Sequence, residues 1–120
     1  MKYILLMYFD ESKAPQTPEE RQAVAHAWYA FGTETKAAGV WVANDGLSSV
    51  TDATTVRVRN GRTLIADGPF AETHEQLGGY VLLDCKDLDE AISWAAKIPS
   101  AQYGSIEVRP LNQWSQNAQR

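Results

Sequence analysis

The run Tyr3-Ile4-Leu5-Leu6-Met7-Tyr8-Phe9 has no polar break. A strand with one wet face alternates apolar and polar residues. A run that is apolar throughout predicts a strand covered on both faces. Gly79 to Cys85 repeats the pattern. A chain of 120 residues makes one domain and buries enough surface for a single core. Two fully covered strands therefore fix the problem this chain must solve, which is how so small a domain covers both sides of its sheet.

Local signals fill in the order. Thr17-Pro18-Glu19-Glu20 starts a helix. Thr17 caps it, Pro18 suits the first helical position, and Glu20 completes a capping box. Val24, Trp28, Phe31, Thr35 and Ala38 recur at helical spacing as its buried stripe, and Gly39 supplies the left-handed stop. Val40 to Ala43 reads as a second strand, broken by Asn44-Asp45-Gly46. Thr54–Arg59 and Arg62–Ala66 read as strands joined by Asn60-Gly61, the strongest short hairpin signal. That turn sets Val56 opposite Ile65 and Val58 opposite Thr63, with Arg57, Arg59, Arg62 and Leu64 on the other face. Asp87-Leu88-Asp89-Glu90 opens a second helix with Leu88, Ala91, Ile92 and Ala95 inward, and Pro99 ends it. Ser105 to Arg109 is a last strand, with Ile106 and Val108 on one face.

With the hairpin as an elaboration, the order is βαββαβ, the ferredoxin-like arrangement of the α+β class. Its two helices cover one face of an antiparallel sheet. No third helix is left for the other face, so a second copy of the chain is the economical cover, and a homodimer is expected. The domain is expected to span residues 1–111, with a polar C-terminal tail over 112–120 that is apolar only at Trp114.

Composition excludes several classes. A net charge of −4 argues against a nucleic-acid surface. One cysteine, Cys85, forbids an intrachain disulfide and suits a reducing cytoplasm. The apolar N-terminal run is too short for a signal peptide and lacks a small-residue cleavage site, and nothing approaches membrane-spanning length. Two scattered histidines and one cysteine give no zinc spacing, and Gly78-Gly79 lacks the lysine and helix of a phosphate loop.

The residues that can carry chemistry gather near Asp67-Gly68-Pro69-Phe70. This turn puts a carboxylate at a strand end and then stiffens the chain. Asp67 either accepts backbone N–H bonds of the turn or serves a ligand directly. His74 lies between Glu72 and Glu75, which would favour an imidazolium or orient a general base. His26 lies on the first helix two residues from Trp28, pointing away from the buried stripe. Asp10 sits just past the first strand, either capping a loop or serving a site. Arg57, Arg59 and Arg62 either hold an anionic group or protect an edge strand from aggregation.

The stretch Asp67-Gly68-Pro69-Phe70-Ala71-Glu72-Thr73-His74-Glu75-Gln76-Leu77-Gly78-Gly79-Tyr80 resembles the signature of the DGPF subgroup of YCII-related proteins. Met1 to Leu6, Ala37-Ala38-Gly39-Val40, Thr54 to Arg57, Leu88 to Ala91 and Gly104 to Pro110 resemble other parts of that family. The resemblance implies a dimeric α/β barrel with a site in a cleft beside it. It also implies a histidine–aspartate acid–base pair, which falls near Trp28 and Asp10 in this chain. One branch of the family removes chloride from aromatic ring-cleavage compounds. Other members accompany extracytoplasmic-function sigma factors, which implies a regulatory or sensing partner. The signature usually carries lysine where this chain has His74.

Three readings follow. The first is a small cofactor-free enzyme doing acid–base chemistry of a lyase or dehydrochlorinase kind, with Asp67, His74, His26 and Asp10 as its proton-handling groups and the arginines, Arg57 among them, holding an anion. The second is a ligand-binding or regulatory dimer without chemistry, its pocket at the subunit junction lined by Tyr8, Trp28, Asp67 and Tyr80, with Phe70 in the signature turn. The third is a purely structural turn in a dimer that works within a larger complex.

Overall fold

The computed structural model describes residues 1–112; the tail from residue 113, with Trp114, lies outside the described residues. Among the described residues there are six strands and two α-helices: β1 (Lys2–Phe9), α1 (Pro18–Ala37), β2 (Trp41–Gly46), β3 (Thr54–Arg59), β4 (Arg62–Asp67), β5 (Gln76–Asp84), α2 (Leu88–Ala95) and β6 (Ser105–Pro110). The main sheet runs β2-β5-β1-β6 with every neighbouring pair antiparallel. With β3 and β4 set aside, this mixed α+β topology is compatible with the ferredoxin-like arrangement.

Both helices sit on one face. Tyr3, Leu5 and Met7 of β1 and Val81 and Leu83 of β5 are buried with Phe31 of α1 and Ala91 and Ala95 of α2, and Ile106 and Val108 of β6 pack against them. The alternate residues Ile4, Leu6, Tyr8, Tyr80 and Leu82 are only half-buried. The sequence of β1 does not alternate, but its burial does. One face is sealed by the helices, and no helix among the described residues lies on the other.

Helix α1 starts as its sequence dictates. The Thr17 hydroxyl accepts from Glu20 N–H at 3.1 Å. The Glu20 carboxylate reaches back to Gln16 N–H at 3.1 Å, one residue beyond the usual box partner. Gly39 takes a φ of 73°, the left-handed value at which a helix stops. Helix α2 departs from expectation. Leu88 and Ile92 are 48% and 49% exposed, while Ala91, Ala95 and Ile98 are buried and Trp94 is half-buried. The inward stripe therefore runs 91, 94, 95, 98, one step round the helix from the expected one. Asn44-Asp45-Gly46 does not break β2. A bulge after Trp41 resets its register, and the strand continues to pair with β5 through Gly46.

Strands β3 and β4 form a separate two-stranded ribbon. Asn60 and Gly61 both have positive φ, as a tight hairpin turn requires, and the pairs are Val56–Ile65, Arg57–Leu64 and Val58–Thr63, as the sequence predicts. Both faces of the ribbon are wet: Val56, Val58 and Ile65 on one face are 59%, 60% and 70% exposed, and Leu64 on the other is 49% exposed. A lone two-stranded ribbon is marginal in water, and these apolar residues have no cover among the described residues.

Candidate functional site

The ribbon's base and the start of β5 frame a cleft of about 590 Å³. Its walls are the β2–β3 loop, the turn after β4 and the mouth of the sheet. Leu47, Val50, Pro69, Phe70 and Leu77 make it apolar. Tyr8, Ser48 and Asp52 add a small number of polar groups. That mixture and volume are typical of small-molecule sites.

Each wall is fixed by bonds that the sequence encodes locally. At the ribbon base, Gly68 adopts a φ of 91° and donates its N–H to the Ala53 carbonyl at 2.7 Å. The Thr55 hydroxyl donates to the Gly68 carbonyl at 2.7 Å. The turn is thus closed through Gly68. The Asp67 side chain is exposed and makes no hydrogen bond among the described residues, so the turn does not rest on its carboxylate. Across the cleft, the Glu11 carboxylate accepts from the Ser49 hydroxyl at 3.0 Å and from Val50 N–H at 2.9 Å. The Gln76 amide donates to the Thr73 carbonyl at 2.9 Å, and the Gln76 carbonyl oxygen accepts from Glu11 N–H at 3.4 Å. Glu11 and Gln76 together latch both loops to the end of the sheet. Sequence reasoning missed them, although Ser49 before Val50-Thr51-Asp52 is an N-cap pattern, and Ser49 does cap a short 3-10 turn there.

Asp10 caps the 3-10 turn Glu11–Lys13. Its carboxylate accepts from the Ser12 hydroxyl at 2.7 Å and from Ser12 N–H at 2.9 Å. Those two bonds hold it below the usual carboxylate range, against a small opposing effect of desolvation, and the nearby His74 and Lys13 act in the same downward direction. His74 therefore acts on Asp10 only as a minor charge influence, from 64 positions along the sequence. The two form neither a hydrogen bond nor an ion pair among the described residues.

A model of the YCII-related domain matches residues 1–115. The chain belongs to the YCII-related family. A relative from Rhizobium meliloti (strain 1021), itself an uncharacterised protein, is 41% identical over 114 residues and covers 92% of each chain.

The YCII-related chain distributes its sequence-predicted residues unevenly. Tyr8 and Phe70 line the cleft. Tyr80 stands half-buried on the same outer face of the sheet, opposite Leu6 and Asp45. Asp10 and His74 flank the latch. Asp67 and Arg57 belong to the exposed ribbon, and His26 is exposed on α1. Trp28 lies on the helix-covered side, edge-on to Phe31 at 5.6 Å between ring centres. No group of three His, Cys, Asp or Glu side chains among the described residues is placed to hold a metal ion. No helix among them is long and apolar enough to cross a membrane.

Proposed function

We propose that this YCII-related protein is a small-molecule-binding homodimer of the DGPF branch, with its ligand site in the cleft at the signature turn. The observation that carries the reading is the cleft itself. Its walls are latched in place by Glu11, Gln76 and Gly68, so the site is pre-formed, and its apolar lining with sparse hydroxyl and carboxylate groups suits a small, largely apolar ligand. Phe70 is 77% exposed at its rim, an aromatic placed for a ligand or a second subunit to cover.

The dimer rests on a separate observation. The outer sheet face and both faces of the ribbon carry apolar side chains that no element among the described residues covers. A second copy packing sheet to sheet, as in a dimeric α/β barrel, buries all of them at once. The ribbon also carries Arg57, Arg59 and Arg62 against one acidic group, Asp67, on a chain whose net charge is −4, so a basic arm meets an acidic body when two copies associate.

A second reading of the same site is cofactor-free acid–base chemistry of a lyase or dehydrochlorinase kind, with Asp10 and His74, which flank the latch, as its candidate proton-handling groups. A sensing partner of an extracytoplasmic-function sigma factor would use the cleft without that chemistry. A thermal-shift screen of metabolites tests the proposal. Hits that stabilise the wild type, fail to stabilise Ser48→Trp (which fills the cleft) and persist in Asp67→Asn support a ligand site there. Hits equally strong in Ser48→Trp place the ligand elsewhere. Turnover of a hit that vanishes in His74→Gln separates the enzyme from the sensor.

A further inference from the structure

The cleft at the signature turn carries a single ionic side chain in its lining. Asp52, at the end of the 3-10 turn Val50–Asp52, stands in the wall, and none of the described Lys, Arg or His residues does. The Asp52 carboxylate has no hydrogen bond or ion pair among the described residues, whose ion pairs are Met1–Asp84 and Lys97–Glu34. Glu11 holds the same loop. Both of its carboxylate oxygens are taken by neutral donors, the Ser49 hydroxyl and Val50 N–H, so its charge has no counter-ion either. The cations of the chain lie elsewhere. Arg57, Arg59 and Arg62 stay on the ribbon, and Lys13 and His74, whose charges reach Asp10, are absent from the lining.

A ligand that fills the cleft strips water from this carboxylate, and the apolar wall of Leu47, Val50, Pro69 and Leu77 offers nothing in exchange. A carboxylate taken out of water is costly unless a cation or strong donors replace its hydration. A hydrocarbon leaves that cost standing. An anion adds repulsion from Asp52 and Glu11, and a cation offsets both. The remaining polar groups fit the same head group. Tyr8 and Ser48 bring hydroxyl oxygens that make no hydrogen bond among the described residues. With Asp52 they give three accepting groups, and a primary ammonium has three N–H bonds to donate. The rings of Tyr8 and Phe70 add faces over which a cation is attracted.

We propose that the cleft takes a primary amine with an apolar body, bound as its ammonium, with Asp52 as the counter-ion. This rests on the reading of the cleft as a ligand site and adds the charge its ligand must carry. The ammonium donates to Asp52 and to the hydroxyls of Tyr8 and Ser48, and the apolar body lies against Leu47, Val50 and Leu77.

Phenethylamine is the probe, with phenethyl alcohol and hydrocinnamate as its neutral and anionic counterparts. Each is titrated at neutral pH into the wild type, Asp52→Asn and Ser48→Trp and followed by two-dimensional NMR. In the wild type, phenethylamine is expected to shift the Val50 and Ala71 amide signals saturably, phenethyl alcohol to bind about tenfold more weakly, and hydrocinnamate to leave both signals unmoved. Asp52→Asn keeps the shape and removes the charge. It is expected to weaken phenethylamine about tenfold with the affinity for phenethyl alcohol unchanged, and to leave the Tm unchanged because the carboxylate has no partner within the described residues. Equal affinity for amine and alcohol, or undiminished amine binding by Asp52→Asn, would overturn the ammonium assignment and leave the cleft a ligand site. Shifts by none of the three compounds, or amine binding that persists in Ser48→Trp, would overturn the assignment and the reading of the cleft together.

Discussion

Gly79→Ala is expected to destabilise the fold by about 2–4 kcal/mol. Gly79 pairs with Met7 of β1 and Gly46 of β2 at the centre of the sheet. A Cβ at this position would lie 2.5 Å from the Met7 methyl, 2.7 Å from the Asp45 carbonyl oxygen and 3.2 Å from the Gly46 Cα. The Met7 methyl belongs to a side chain that is 4% exposed and packed in the core, so it has little room to swing away. The other two atoms are backbone, and they retreat only if β2 moves off β5. Overpacking of this kind costs about 1–3 kcal/mol. Straining one ladder bond adds about 1 kcal/mol. At about 4 °C per kcal/mol for a domain of this size, the Tm is expected to fall by about 8–16 °C. Gly32→Ala is the matched control. Gly32 lies within α1, where an added Cβ meets nothing within 4 Å. Replacing a mid-helix glycine with alanine stabilises by about 0.5–1 kcal/mol, so its Tm is expected to rise by a few degrees. Calorimetric scans of both variants decide the matter. A Gly79→Ala Tm within 1 °C of the wild type would refute the reasoning that this signature glycine exists for close strand packing.

Three further outcomes follow from named contacts. Glu11→Ala removes the acceptor for the Ser49 hydroxyl and Val50 N–H, so hydrogen exchange at the Val50 amide is expected to quicken by about tenfold or more while exchange in β1 and β5 stays unchanged; equal exchange at Val50 would show that the latch is not what holds the loop. Cys85 is 1% exposed, and burial, with smaller contributions from Glu90 and Asp84, pushes its thiol up to about 11. It is expected to resist a thiol reagent at pH 8 until the protein unfolds. Because the neutral thiol is favoured in the folded state, its contribution to stability is intact below pH 9 and is lost as pH rises toward about 11; rapid labelling of the native protein would contradict this. The Asp10 carboxyl is depressed chiefly by Ser12, so its stabilising contribution is present above about pH 4 and lost on further acidification. Ser12→Ala is expected to move the Asp10 titration, followed by NMR, upward toward the ordinary value, and an unchanged titration would contradict the assignment.

The parts of this fold that were legible in the sequence are those whose causes are local. Asn60-Gly61 forces a tight turn whatever surrounds it, so the ribbon register from Val56–Ile65 to Val58–Thr63 could be read directly. Thr17 and Asp87 cap their helices with bonds that span three residues. Features set by the rest of the molecule were not legible. The inward face of α2 is chosen by how it packs on the sheet. Leu88 and Ile92 are as apolar as Ile98, but the sheet meets the 91, 94, 95, 98 stripe. The sequence Asn44-Asp45-Gly46 has turn composition, yet β5 holds it in the ladder. The candidate site depends most on such long-range contacts. Glu11 meets Ser49 and Gln76 meets Glu11 only because β1, the β2–β3 loop and the segment before β5 converge at one end of the sheet. The signature residues Pro69 and Phe70 could be singled out from the chain alone, whereas the cleft they border exists only once that convergence has occurred.

The central claim is that the cleft at the signature turn binds a small molecule. Titration calorimetry of the strongest screening hit, against the wild type and Phe70→Ala, tests it most directly. Phe70 is exposed at the cleft rim and is not part of the hydrophobic core, so its removal leaves the fold intact. Losing one aromatic contact with a bound ligand is worth about 1–2 kcal/mol, so the affinity of Phe70→Ala is expected to fall by roughly five- to thirtyfold with an unchanged Tm in the absence of ligand. Equal affinity in the two proteins would contradict the claim.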